Sequence, residues 1–332
     1  MPSTGLAPLF VLIGFAVAFD FINGFHDTAN AVATVVSTRV MRPGVAIGMA
    51  AVLNFAGAMT GTEVAKTIGS GIVGSSLPLH AITAALVAAI AWNLLTWYRG
   101  VPSSSSHALI GSLLGAGIAS LGPHSVHWAV LRDKVALPLL LSPIVGFLTA
   151  LWLMRLLVHV FQSLPPSRVG PIFRHTQLIS AAFMAFSHGG NDAQKTMGII
   201  TLALVSSGVL TTFHVPMWVI ALSAGAMAAG TLAGGRRIIH TMGTRLAHLD
   251  PIHGFAAETS AATVIQVASR FGFPLSTTHV ISSGILGVGA ARRMNAVRWG
   301  VARTMVGAWL LTIPVTALLG FGAAWTARAL WR

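Results

Sequence analysis

Six apolar runs dominate the chain: Leu6–Ile22, Val45–Gly61, Ala81–Trp97, Val135–Met154, Val215–Leu232 and Met305–Ala324. Each is near the ~20 residues that an α-helix needs to cross a bilayer. Shorter runs broken by Gly, Ser and Thr lie between them: Ile110–Leu121, Gly198–Leu210 and Val280–Ala291. Together they predict about ten to twelve helical membrane elements. A soluble fold is excluded by charge. Only 8% of residues are charged, against about 25% in a soluble domain, so the chain cannot build a hydrated shell. The expected fold class is an all-α polytopic membrane protein. The first run lacks a positive flank and is followed by further runs, which argues against a cleaved signal peptide.

The sequence contains no cysteine, so disulfides and thiolate metal sites are excluded. The net charge of +13 does not mark a nucleic-acid partner, because the basic residues lie between apolar runs. Arg39/Arg42, Arg236/Arg237 and Arg292/Arg293/Arg298 read as loop charges that fix orientation in the membrane.

Three pairs of segments recur at nearly one offset. Gly24-Phe25-His26-Asp27-Thr28-Ala29-Asn30 matches Gly189-Gly190-Asn191-Asp192-Ala193-Gln194-Lys195, 165 residues on. Pro102-Ser103-Ser104-Ser105-Ser106-His107 matches Pro274-Leu275-Ser276-Thr277-Thr278-His279, 172 residues on, with Gly115/Gly117 matching Gly287/Gly289. Gly61 with Thr67-Ile68-Gly69 matches Gly235 with Thr241-Met242-Gly243. Two copies of one module follow. The expected organisation is a first transmembrane repeat at 1–161, a short linker at 162–176 rich in Pro and a second repeat at 177–332. An odd number of crossings before the linker would invert the second copy.

Seven acidic residues punctuate this apolar chain, and each is costly at mid-membrane unless paired or solvated. Asp133 sits beside Arg132 and Lys134 in a loop, and Asp250, before Pro251, reads as a helix end. Glu63 has Lys66 three residues on, the spacing of an ion pair. Asp20 lies one turn before Asn23-Gly24 and could support the first motif. Glu258 fits either a first-turn position favoured by the helix dipole or a place in the site. Asp27 and Asp192 differ from the rest, because they occupy matched positions near Gly and Asn. A helix broken there would expose backbone groups, and carboxylate plus carboxamide oxygens is cation-binding chemistry.

The two Pro-Ser/Thr-His boxes read as helix starts, where Pro fixes φ and hydroxyls cap exposed N–H groups. Unpaired N–H groups and the positive dipole end favour an anion. Several hydroxyls within three residues offer a tetrahedral oxyanion donors from several directions. His107 and His279 read as structural hydrogen-bonders. An anion beside two carboxylates is unfavourable until a proton or metal cation neutralises them. Each ion then makes the other's site tolerable, which is the physical basis of symport.

At these motifs the chain resembles the inorganic phosphate transporter (PiT) family, and most of all its bacterial low-affinity branch. The similarity covers nearly the whole chain. It implies an inverted-repeat fold, a homodimer in the bacterial inner membrane, and import of phosphate, alone or as a metal–phosphate complex, driven by a cation gradient. It implies phosphate binding by Ser104, Ser105, Ser276, Thr277, Thr278, Asn30 and Asn191. It implies cation coupling by Asp27, Asp192, Asn30, Asn191 and Glu258. No cofactor is expected. The chain departs from the family pattern at His26, where many members have Asn, and at Gln194-Lys195, where many repeat Ala-Asn. The long hydrophilic loop of many relatives is replaced by Gln162–His175. Lys195 would remove one cation ligand from the second motif, and with the bacterial resemblance this favours protons over sodium.

Three rival readings are weighed. A membrane enzyme would use Ser105 or Ser106 with His107, but neighbouring residues at a helix start point in different directions. Duplicated boxes also suit symmetric binding better than one catalytic centre. A sulfate carrier could use the same hydroxyls, yet only hydrogen phosphate has a proton to donate to Asp27 or Asp192. A channel is disfavoured because paired acids and closing boxes suggest occlusion.

Overall fold

In hydrocarbon every backbone N–H and C=O must find a partner within the protein, and an α-helix satisfies both within one segment. The computed structural model describes residues 6–74 and 77–330, and these are almost all helical. In the first half, α1 (Ala7–Ser37) is followed by α2 (Pro43–Ala58) and by a short α3 (Glu63–Lys66) that continues as a π-turn, Thr67–Gly71. Then come α4 (Leu79–Tyr98), α5 (Ser105–Leu121) and α6 (Trp128–Val130), which runs through a π-turn into α7 (Leu137–Phe161). The second half gives the same order: α8 (Pro166–Ser206), α9 (Met217–Ala233), α10 (Arg236–His240) with its π-turn Thr241–Arg245, α11 (Pro251–Arg270), α12 (Thr277–Arg292) and α13 (Trp299–Leu330).

The correspondence extends to detail. The bent pairs α2/α3 and α9/α10 both turn by 67°. Single antiparallel bridges join Val73 to Val126 and Ala247 to Val297 at matched places. Contacts are reciprocal too: α5 packs on α13 as α12 packs on α7, and α1 packs on α9 as α2 packs on α8. The turn after α4 touches the second bent pair, where Thr241 donates to Gly100 O at 3.0 Å. The turn after α11 meets the first, with Gly272 against Glu63 and Thr67.

Exposure is inverted relative to a soluble protein. Leu318 is 74% exposed and Ile179 72%, whereas Asp20, Asn23, His26 and Asp192 are fully buried. Apolar side chains outside and ionisable groups inside is the arrangement that lipid imposes. Among the described residues four helices are long and apolar enough to cross a membrane, or up to six if each bent pair is one span. The other helices are shorter or carry the polar motifs.

Several expectations are revised. Neither Asp motif breaks its helix. α1 is continuous over 31 residues through Gly24, and α8 over 41 through Gly189-Gly190. The glycines serve close helix crossings instead: a β-carbon at Gly24 would meet Met227 O, one at Gly189 would meet Asn54, and one at Gly57 would meet Phe186 O. The real breaks are the bent pairs and the turns before the two boxes. The Gln162–His175 segment is helical from Pro166, because Pro at the first position loses no intrahelical bond. The short run Gly198–Leu210 supplies the last turns of α8 and is not a separate element. Asp250 opens α11 and does not end a helix; its N–H donates to His253 Nδ1 at 3.2 Å. Arg237 is no loop charge but donates to Tyr98 O at 2.6 Å from α10. Arg39, Arg42, Arg293 and Arg298 are exposed, and the side chains of Arg236 and Arg292 lie outside the described residues. Glu63 does pair with Lys66, at 2.9 Å.

The crossings give a stability prediction. Gly189→Val forces α8 away from the α2 backbone, so a loss of at least about 3 kcal/mol is expected, the upper end of overpacking. Gly225→Ala, where a β-carbon meets nothing within 4 Å, should be neutral. Thermal unfolding of the two solubilised variants makes the comparison.

Candidate functional site

The site forms where the middle of α1 meets the middle of α8. These two helices run antiparallel: Thr38 at the end of α1 donates to Gln177 near the start of α8 at 2.9 Å. That arrangement brings the matched acids together. One ligand atom each from Asp27, His188 and Asp192 lie within 4.8 Å of one another, all three residues being buried. Two carboxylates and an imidazole at that separation could hold a metal cation.

Each carboxylate faces the box of its own half. Ser105 Oγ donates to Asp27 Oδ2 at 2.9 Å, and Thr277 Oγ1 donates to Asp192 Oδ2 at 3.1 Å. The next hydroxyls are held from the other half. Asn30 Nδ2 donates to Thr278 Oγ1 at 3.0 Å and to Thr277 Oγ1 at 3.2 Å, while Lys195 Nζ donates to Ser106 Oγ at 2.5 Å. Asn30 and Lys195 are matched residues of the two motifs, so an amide and an ammonium do the same positional work. Thr278 also lies 3.5 Å from Asp27, across the halves.

The two acids differ in their counter-charges. His26 Nδ1 lies 2.6 Å from Asp27 Oδ1 and bridges onward to Thr96. Asp192 is salt-bridged to Lys195, and His188 Nε2 stands 3.3 Å away. Lys195 is fully buried, and a buried ammonium needs such a partner. His188 was not singled out from the sequence, although its place one turn before Asp192 was a usable signal. Ser106 and His26 likewise stand closer to the site than the motifs alone suggested.

The remaining expected residues are placed differently. Ser104 and Ser276 are N-caps, accepting from His107 N at 3.1 Å and His279 N at 3.3 Å. Their oxygens thus complete the helix starts. Asn191 turns its Nδ2 to Ser269 at 2.8 Å and to Phe273 O at 3.3 Å, in and beside the last turn of α11. His107 and His279 pack edge to face with centroids 4.5 Å apart. Ser105 bonds Asp27, Ser106 bonds Leu275 O, and His107 Nδ1 has no hydrogen-bond partner, so no Ser–His dyad is formed among the described residues.

Glu258 is neither in the first turn of its helix nor among the box residues. It lies two turns into α11, fully buried, and accepts from Thr34 at 2.5 Å, Ser180 at 2.5 Å and Gln177 at 3.1 Å. Thr34 is one turn beyond Asn30 on α1, and Thr38 one turn further. Thr38 lines a cavity of about 480 Å³ together with Arg39, His248, Asp250 and Arg298. Glu258 therefore stands between that cavity and the paired Asp motifs.

A multi-pass helical protein whose two related halves enclose a buried, oxygen-lined polar site is a membrane transporter by architecture. The comparisons agree. The sequence matches the PHO4 phosphate transporter family over residues 23–320. It is 49% identical over 323 residues to a "probable low-affinity inorganic phosphate transporter" of Rhizobium meliloti (strain 1021), covering 96% of each chain. A protein of the same description from Bacillus subtilis (strain 168) is 47% identical over 313 residues, 92% of each. A solved structure described as "The sodium-dependent phosphate transporter" superposes with a TM-score of 0.87 at 25% identity, covering 98% of this chain and 100% of that one. The chain belongs to the phosphate transporter family and is not an enzyme.

Proposed function

We propose that the protein imports inorganic phosphate across the bacterial inner membrane by symport, with protons as the coupling ion, as a homodimer of inverted-repeat subunits. The observation that carries this reading is the convergence of both hydroxyl boxes on both Asp motifs. Ser105, Ser106, Thr277 and Thr278 sit within hydrogen-bond reach of Asp27, Asp192, Asn30 and Lys195. Hydrogen phosphate entering this cage would accept from the hydroxyls and the ammonium and donate its own proton to a carboxylate. Sulfate has no proton to donate there. The start of α8 beside the end of α1 supports inversion of the second half.

Lys195 supports protons. It places a fixed positive charge against Asp192, where a metal cation would otherwise be needed. The second reading is sodium coupling, favoured by the name of the solved neighbour and by the separation of Asp27, His188 and Asp192. Purified protein in liposomes separates the two. Radiolabelled phosphate should accumulate under an acid-outside gradient without sodium and stay at equilibrium under an inward sodium gradient at equal pH. Accumulation on sodium alone, insensitive to a protonophore, overturns the proton assignment. Competition by unlabelled phosphate but not sulfate tests the substrate, and adding a divalent metal tests whether the metal–phosphate complex is carried.

A further inference from the structure

Asp20 is fully buried, and among the described residues neither of its carboxylate oxygens has a close hydrogen-bond partner. Asp27, Asp192 and Glu258 each have several donors. Asp20 lies two turns before Asp27 on α1, with Asn23 and, from α8, Thr196 beside it. Neither polar atom of Asn23 has a partner, and Thr196 Oγ1 has none. Asn23 and Thr196 thus bring a carboxamide and a hydroxyl beside this carboxylate, yet neither closes a full hydrogen bond to it. The charged groups within electrostatic reach are Asp192 and Lys195, which already neutralise each other. Of the other helices packed on α1, α2 and α9 carry no ionisable residue, α4 carries His80 and Tyr98 at its two ends, and α10, α11 and α12, which carry Arg237, Glu258 and His279, meet α1 from Phe25 onward.

The duplication makes a structural role a poor account. At the offset of the Asp motifs, Asp20 corresponds to Ala185 and Thr196 to Ala31, both buried. Asn23 corresponds to His188, which bonds Asn54. The matched crossing therefore has alanines in place of the acid and the threonine, so packing does not require the acid. A carboxylate in this position, at the cost burial imposes, is tolerated once a proton or a bound cation neutralises it.

We infer that Asp20, Asn23 and Thr196 form a site for one small monovalent cation, built between α1 and α8, distinct from the phosphate cage and without a symmetric counterpart. The donor set is a carboxylate, a carboxamide oxygen and a hydroxyl, hard oxygens that suit sodium and equally a carboxyl that takes up a proton. The site would give the cycle a coupling ion separate from the Asp192–Lys195 pair. This inference rests on the symport reading above and names where the coupling ion sits.

The test uses the full chain in liposomes. Wild type must first concentrate phosphate under a proton or sodium gradient; failure there refutes the symport reading and leaves the site to be judged by binding alone. Asp20→Asn should lower gradient-driven accumulation at least about tenfold, the scale of a lost coupling energy. Phosphate–phosphate exchange without a gradient should fall much less, a split that general misfolding would not give. Thr196→Val, a nearly isosteric change, should raise the cation concentration for half-maximal uptake about fivefold. Binding of radiolabelled sodium to solubilised protein, lost in Asp20→Asn, assigns the ion as sodium. No sodium binding in wild type, with proton-driven accumulation lost in Asp20→Asn, assigns it as a proton. Accumulation unchanged in Asp20→Asn overturns the site. If that variant does not fold, an unchanged half-saturation in Thr196→Val overturns it instead.

Discussion

Asp192→Asn is expected to abolish phosphate accumulation and also to destabilise the protein, whereas Asp27→Asn abolishes accumulation with a smaller loss of stability. The acids are matched in sequence but not in surroundings. Removing the Asp192 charge leaves the buried Lys195 ammonium unpaired, and breaking a buried pair from one side costs about 3–5 kcal/mol. Asp27 faces His26 and hydroxyls, and no ammonium is left stranded when its charge is removed. The double variant Asp192→Asn/Lys195→Met should recover most of the lost stability, since a non-polar chain of similar length replaces the stranded ion. It should not recover transport. Thermal unfolding of the purified variants and uptake in liposomes give the two readouts. Near-normal accumulation in both single variants would remove these carboxylates from the coupling machinery. Equal stability of the two would remove the salt bridge from the account.

The second large effect concerns ion choice. Lys195 and Asn30 hold corresponding hydroxyls, Ser106 and Thr278, from matched positions. Lys195→Asn makes the two motifs alike at this position. It leaves Asp192 without its ammonium and offers an additional oxygen, so a metal cation gains both a ligand and an unpaired charge. The variant should acquire sodium-dependent uptake and lose most proton-driven accumulation. Sodium should also stabilise it against unfolding, by about 2.7 kcal/mol when sodium is at a hundred times its dissociation constant. Wild type should show no such stabilisation from this position, because the ammonium already fills it. If Lys195→Asn gains no sodium response in either measurement, the ammonium is a structural strut and not a substitute for a cation.

The chain itself was sufficient for a great deal. Its scarcity of charge fixed the solvent, since 8% charged residues cannot clothe a soluble surface. Its duplicated motifs gave two halves, and the doubled Asp motif with the doubled boxes named the chemistry and the family. Those signals are local: they survive in one dimension because each is a run or a short pattern of residue types. What the sequence misplaced depends on contacts between distant segments. Gly24 and Gly189 read as breaks, because a glycine in a helix is the same letter whether it ends the helix or lets another backbone approach. Only the crossing partners, Met227 and Asn54, decide which. The boxes read as helix starts with capping hydroxyls, but which hydroxyl is the cap waited for the fold: Ser104 and Ser276 accept from His107 N and His279 N. Glu258 and Asp20 could not be ranked as letters. Folding bonds three donors to the first, while Asn23 and Thr196 beside the second close no full bond to it, because a carboxylate's character comes from the groups that helix packing brings to it.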